Sequence, residues 1–144
     1  MTKQNRTMAR RIGARGFTLI EMLAVIVLIG IVASIVVTQV GKRMNSGKYK
    51  AGEAKIQSLS MKIENYSLDN GSPPPNLQAL VSDPGGDAMW NGPYAKESDL
   101  KDPFGHEFGY KVPGDHGNTF DLVFYGKDGK PGGDGLDKDV GNWQ

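Results

Sequence analysis

Apolar residues fill the chain from Phe17 to Val40, FTLIEMLAVIVLIGIVASIVVTQV, with Glu21 as the lone charge and Thr18, Ser34, Thr38 and Gln39 as polar relief. At about 1.5 Å per residue this run predicts a helix of about 36 Å, enough to cross a hydrocarbon core of about 30 Å with some tilt. After Gly47 the pattern changes. Between Lys48 and Leu68, Ile56, Leu59, Ile63 and Tyr66 recur at steps of three and four while Lys55, Lys62 and Glu64 fall off that stripe, which predicts an amphipathic helix packed on a core. Asn70 and Gly71, followed by Pro73, Pro74 and Pro75, predict its end. Residues 76–105 are rich in turn formers and read mostly as an ordered loop, with Leu77, Leu80 and Val81 as one or two helical turns. Phe108, Tyr110, Val112 and then Phe120, Leu122, Phe124 alternate with period two around PGDHGN, which predicts an antiparallel hairpin lying on the amphipathic helix. The fold class is therefore α+β, with one long N-terminal helix, half membrane-length and half amphipathic, carrying a small globular head with a small antiparallel sheet.

Charge sharpens this picture. The chain has 144 residues and a formal net charge of +1, yet Lys3, Arg6, Arg10, Arg11 and Arg15 precede the apolar run and all 16 acidic residues follow Gly16. A basic arm can touch nucleic acid, but one that abuts a long apolar run is better explained by cytoplasmic retention beside a membrane, with the residues after 40 facing outward. No nucleic-acid partner is expected. The run is too long for a secretory signal and closes through Thr38, Gln39, Val40, Gly41, Lys42 and Arg43 rather than on a cleavage site of small residues. With no cysteine, disulfides and thiolate metal sites are excluded, and the head must rely on packing, backbone hydrogen bonds or a hard cation.

Glu21 is costly where it stands, by about 2.5 to 3.5 kcal/mol on insertion scales, and no Lys or Arg within the run answers it. Snorkelling to the headgroups is one resolution. Cleavage after Gly16 is another, because it would give Phe17 a charged amine able to neutralise a neighbouring subunit's Glu21. Gly16, Phe17, Thr18, Leu19, Ile20, Glu21 behind a short basic leader resembles the type IV pilin and pseudopilin class. That resemblance implies a prepilin peptidase that cuts between Gly16 and Phe17 and methylates the new amine of Phe17. It also implies an assembly role for Glu21 toward the incoming subunit. It divides the chain into a cleaved leader (1–16), a transmembrane and polymerisation helix (17–40) and an amphipathic helix with periplasmic head (41–144). Thr38 stands where the family commonly has proline, which leaves a kink there open.

The tail YGKDGKPGGDGLDKDVGNWQ sets Asp128, Asp134, Asp137 and Asp139 among glycines. Composition alone leaves a calcium site and a solvated acidic loop equally open, and the spacing is not that of an EF-hand. The order of YSLDNG (66–71), LQALV (77–81), WNGPY (90–94), DPFG (102–105) and DVGNW (139–143) is similar to one branch of the class, the major pseudopilins of type II secretion. That branch implies a stabilising Ca2+ in the tail loop, with Asp128, Asp137 and Asp139 and the backbone carbonyls of Tyr125 and Leu136 as candidate ligands, and Asp134 as a further one. It implies a subunit that stacks into a periplasmic pseudopilus and exports folded proteins across the outer membrane. The implied partners are other copies of itself, minor pseudopilins, the prepilin peptidase, an inner-membrane assembly platform and, before assembly, membrane lipid. The implied location is the bacterial inner membrane, N-terminus cytoplasmic and head periplasmic, and then the filament. His106 and His116 flank different turns without a nucleophile partner, so no enzymatic activity is expected. The alternatives are a type IV pilus pilin for adhesion, motility or DNA uptake, though the usual C-terminal disulfide loop is missing, and a membrane-tethered binding module or enzyme.

Overall fold

The computed structural model describes residues 16–86 and 89–144; the basic residues of the leader lie outside the described residues. The chain divides into two units, residues 1–39 and 40–144. Helix α1, Leu19–Asn70, contributes to both.

In the first unit every described side chain is exposed, and the apolar window has a mean hydropathy of 2.9. The hydroxyls of Ser34 and Thr38 are satisfied within the helix itself, Ser34 Oγ donating to Ile31 O at 2.7 Å and Thr38 Oγ1 to Ile35 O at 2.8 Å. It runs through Thr38 as α-helix without a break.

In the second unit α1 buries Gly52, Ile56, Leu59, Ile63 and Tyr66, the predicted stripe extended by one glycine. Asn70 ends it: its Nδ2 donates to Tyr66 O, and Gly71 supplies the left-handed turn (φ 77°) while its amide reaches Ser67 O. The proline-rich stretch leads into two 3-10 helices, Leu77–Leu80 and Glu97–Leu100. Asn76 caps the first through Ala79 N. Trp90 and Tyr94 pack beneath the connecting loop, with Trp90 Nε1 on Ala79 O and Tyr94 Oη on Asp69 Oδ2. Lys62 pairs with Asp99, and Lys55 Nζ donates to Ser98 O and Lys101 O, fastening the second 3-10 turn to α1.

The sheet has three antiparallel strands in the order β1 (Gly109–Lys111), β2 (Asp121–Phe124) and β3 (Val140–Gly141). Tyr110 faces Leu122 and Phe124 faces Val140. The predicted hairpin is present but shorter than its pattern: Val112 lies beyond the strand end and is exposed. The third strand arises in a tail read as loop. It is held there by Asn142, whose backbone amide donates to Leu122 O while its Oδ1 accepts from Leu122 N and its Nδ2 donates to Phe120 O. Phe108, Phe120, Leu122 and Phe124 join Ile56, Leu59, Ile63, Leu80 and Leu100 in one core. Each such side chain contributes about 1.5 to 3 kcal/mol when fully buried.

Candidate functional site

Two regions carry the chemistry, the start of α1 and the loop after β2. At the first, Thr18 and Glu21 form a reciprocal cap. Glu21 N donates to Thr18 Oγ1 at 3.2 Å, and Glu21 Oε2 accepts from Thr18 N at 2.7 Å and from Thr18 Oγ1 at 3.1 Å. The carboxylate thus sits beside the amides at the helix start, where a negative charge is favoured. The Thr-x-x-Glu spacing of residues 18–21 is the sequence signal of this cap, a neutral partner that a pattern of opposite charges does not reveal. Glu21 Oε1 makes no hydrogen bond among the described residues. Gly16 and Phe17 precede the helix, both exposed, so the peptide bond between them lies in irregular backbone.

At the second region the chain leaves β2 at Tyr125 and folds back on itself. Gly126 adopts φ 65°, and a Cβ there would lie 2.7 Å from Leu136 O and Asp137 Cα; a Cβ on Gly133 would lie 2.7 Å from Asp137 O. The return is tied by Lys127 N on Leu136 O at 2.8 Å and by the 3-10 turn Gly135–Asp137. Asp128 Oδ1 accepts from Lys130 N, and Asp139 Oδ2 from Gly132 N at 2.8 Å. Asp139 Oδ1 is buried and has no hydrogen-bond partner among the described residues. Asp128 and Asp134 are exposed, and Tyr125, Leu136, Asp137 and Asp139 half-buried. Among the described residues no three acidic or histidine side chains converge on a point where a metal ion fits, so Asp128, Asp137 and Asp139 are not gathered into a three-carboxylate cluster. What fits a hard cation is narrower: one buried orphan carboxylate oxygen, Asp139 Oδ1, on a glycine-turned loop.

Tyr49, which the sequence did not single out, ties this loop to α1. Its hydroxyl donates to Lys138 O at 2.9 Å, and its ring packs on Phe124 with centroids 5.4 Å apart. Burial, then the charges of Glu53 and Asp139, push its pKa up.

The two histidines each lie beside a buried aspartate, His106 Nδ1 at 3.5 Å from Asp102 Oδ2 and His116 against Asp121. Asp102 Oδ1 accepts from Phe104 N and His106 N, closing the DPFG turn. His116 Nδ1 lies 2.8 Å from Asp121 Oδ2, and its ring stacks on Trp143 at 3.7 Å. Burial pushes the Asp121 carboxyl up, but hydrogen bonds from His116 and the Asp115 amide outweigh it and hold the pKa below its ordinary value.

Comparison with known proteins agrees with both halves of the chain. Residues 39–143 match the family described as "Type II secretion system (T2SS), protein G", and residues 11–37 match the "Prokaryotic N-terminal methylation motif". A type II secretion system core protein G from Xanthomonas campestris pv. campestris is 48% identical over 130 residues, covering 90% of each chain. The Pseudomonas aeruginosa protein of the same description is 40% identical, over 89% of this chain and 94% of the relative. The crystal structure of the major pseudopilin from the type 2 secretion system of enterohaemorrhagic Escherichia coli superposes with a TM-score of 0.54 at 25% identity, covering 71% of this chain and 91% of that one. A long helix with a three-stranded antiparallel sheet, a methylation motif at its start and relatives of one description throughout leave one conclusion: this chain belongs to the protein G family of the type II secretion system, the major pseudopilins.

Proposed function

We propose that this major pseudopilin is inserted with its leader in the cytoplasm, cut between Gly16 and Phe17, methylated on Phe17, and drawn out of the inner membrane into a periplasmic filament. The filament pushes folded proteins across the outer membrane. The observation that carries this reading is the exposed apolar surface of α1 from Leu19 to Val40 beside a capped Glu21. Such a surface leaves lipid without penalty only where neighbouring helices replace it, so extraction and polymerisation are coupled. Glu21 keeps its local cap through Oε2 and offers Oε1 to the amine of the next subunit. The partners of this reading are other copies of the chain, minor pseudopilins, the prepilin peptidase and the inner-membrane platform, and the subunit itself catalyses nothing.

Calcium belongs to the same reading. Asp139, Asp137 and Asp128, the carbonyls of Tyr125 and Leu136, and Asp134 are the oxygen donors that would hold it. The ion would screen their mutual repulsion and answer Asp139 Oδ1.

Mass spectrometry of the native protein tests the processing step. The expected species begins at methylated Phe17; material that retains residues 1–16 and still assembles would sink the proposal. Glu21→Ala tests the pairing, and should be inserted and cut normally yet fail to enter filaments. Assembly at the wild-type rate would remove Glu21 from the mechanism.

A further inference from the structure

We infer that Tyr49 is the positioning residue of the tail loop: its hydroxyl orients the Lys138–Asp139 peptide so that the Asp139 carboxylate is set for a divalent cation. This rests on the calcium reading above.

The carbonyl that Tyr49 Oη grips, Lys138 O at 2.9 Å, belongs to the peptide that delivers Asp139. Fixing that plane fixes the direction from which the Asp139 side chain departs. One Asp139 oxygen is then turned onto Gly132 N at 2.8 Å, and the other is left buried and unpartnered. An acceptor shielded from water without a donor is unfavourable by itself, so something must hold it there. Within the loop, Asp139 is tied only to an amide in a stretch where Gly132 and Gly133 both have positive φ. Tyr49 is the restraint from outside. Its own ring is fixed against Phe124, which is fully buried, and it projects from α1 one turn before Gly52, where the helix meets that same ring. Rigid helix, aromatic contact and carbonyl grip form one chain of support reaching the orphan oxygen. Preorganisation of this kind acts on cation affinity, because without it the carboxylate must be ordered at the moment of binding.

The arrangement separates affinity from bulk stability. Tyr49→Phe keeps the ring on Phe124 and deletes only the grip. Tyr110→Phe is the matched control, since Tyr110 Oη also donates to a carbonyl, Pro74 O at 2.7 Å, which belongs to the proline-rich stretch after α1 and not to this loop. Both variants are made in the full chain, purified in detergent, stripped with chelator and titrated with Ca2+ by calorimetry, with calcium-free melting followed in parallel.

The expected result is about fivefold weaker Ca2+ binding for Tyr49→Phe, the effect of one hydrogen bond. Tyr110→Phe should bind Ca2+ as wild type does while melting lower without it. If wild type binds Ca2+ and Tyr49→Phe binds equally well, the positioning role is overturned and the calcium reading survives. Equal weakening by both variants would also overturn it, since any loosening of the unit would then suffice. If wild type binds no Ca2+, the calcium reading fails and takes this inference with it.

Discussion

Replacing Gly52 by alanine tests how the second unit is packed. A glycine inside a helix is ordinarily a weak point, and exchanging it for alanine gains about 0.8 to 1.0 kcal/mol in helix propensity. Gly47 offers that gain freely, because a Cβ there meets nothing within 4 Å. At Gly52 the new methyl would lie 2.5 Å from Phe124 Cζ and 2.6 Å from Cε1. Carbon atoms rest about 3.5 to 4.0 Å apart, so the ring must retreat by about 1 Å. It has little room to do so, being fully buried and bounded by Tyr49, Phe104 and Phe108 at 5.4, 6.4 and 6.3 Å between ring centroids. Overpacking of this kind costs about 1 to 3 kcal/mol, and the boxed ring argues for the upper end. Gly52→Ala should therefore destabilise by about 2 kcal/mol net, against a gain of about 1 kcal/mol for Gly47→Ala. Thermal melting of the full chain in detergent, followed by fluorescence of Trp90 and Trp143, should separate the two variants by about 10 to 20 °C. Gly52→Ala/Phe124→Leu should recover part of the loss. If Gly52→Ala melted above wild type by the same increment as Gly47→Ala, the close approach of α1 to β2 would be wrong.

Four further outcomes follow from the same structure. Leu59→Ala, at a side chain 1% exposed, should lower stability by about 2 to 5 kcal/mol in chemical denaturation. Asn142→Ala should cost about 1 to 3 kcal/mol and speed amide exchange at Leu122, whose N–H loses its acceptor. Asp139→Asn should abolish any rise in melting temperature produced by Ca2+ while leaving the chelated protein's melting close to wild type. In acid, Asp99 is held below its ordinary value of 3.8 by the Lys62 hydrogen bond, then by the Lys96 amide. Asp121 is held low as well. Depressed carboxyl pKa values give stability that is present above about pH 4 and lost as pH falls through the folded values. Melting should therefore drop below pH 4, and Lys62→Ala should flatten that drop.

The sequence made periodic features easy to read and reciprocal ones hard. Ile56, Leu59, Ile63 and Tyr66 declare a buried stripe because a helix repeats every three to four residues, and all four are buried. The stop at Asn70 and Gly71 was equally plain, since glycine and three prolines leave the backbone little choice. Gly52 belongs to the same stripe yet was invisible as core, because a hydrophobicity pattern gives no weight to a missing side chain. Strand β3 escaped because two residues carry no period, and what fixes them is Asn142, a polar side chain acting as a length of backbone. Tyr49 lies 89 residues from the carbonyl it binds, a distance over which local pattern carries no information. Glu21 stands out in the sequence by its charge, while the donors that Thr18 supplies to it at the helix start are a local, dipolar contact that a pattern of charges does not display.

Ser34 and Thr38 have spent their hydroxyls on carbonyls of their own helix. From Met22 to Thr38, then, a neighbouring rod would meet an almost wholly apolar surface with no uncommitted side-chain donor, a lubricated face with little to register one turn against the next. Between such rods sliding and rolling would encounter small barriers, so if copies pack as proposed, rise and twist would be dictated at the polar extremities. An added asparagine at Ile31, a sticky point on that bearing, should stiffen the bundle more than it strengthens it.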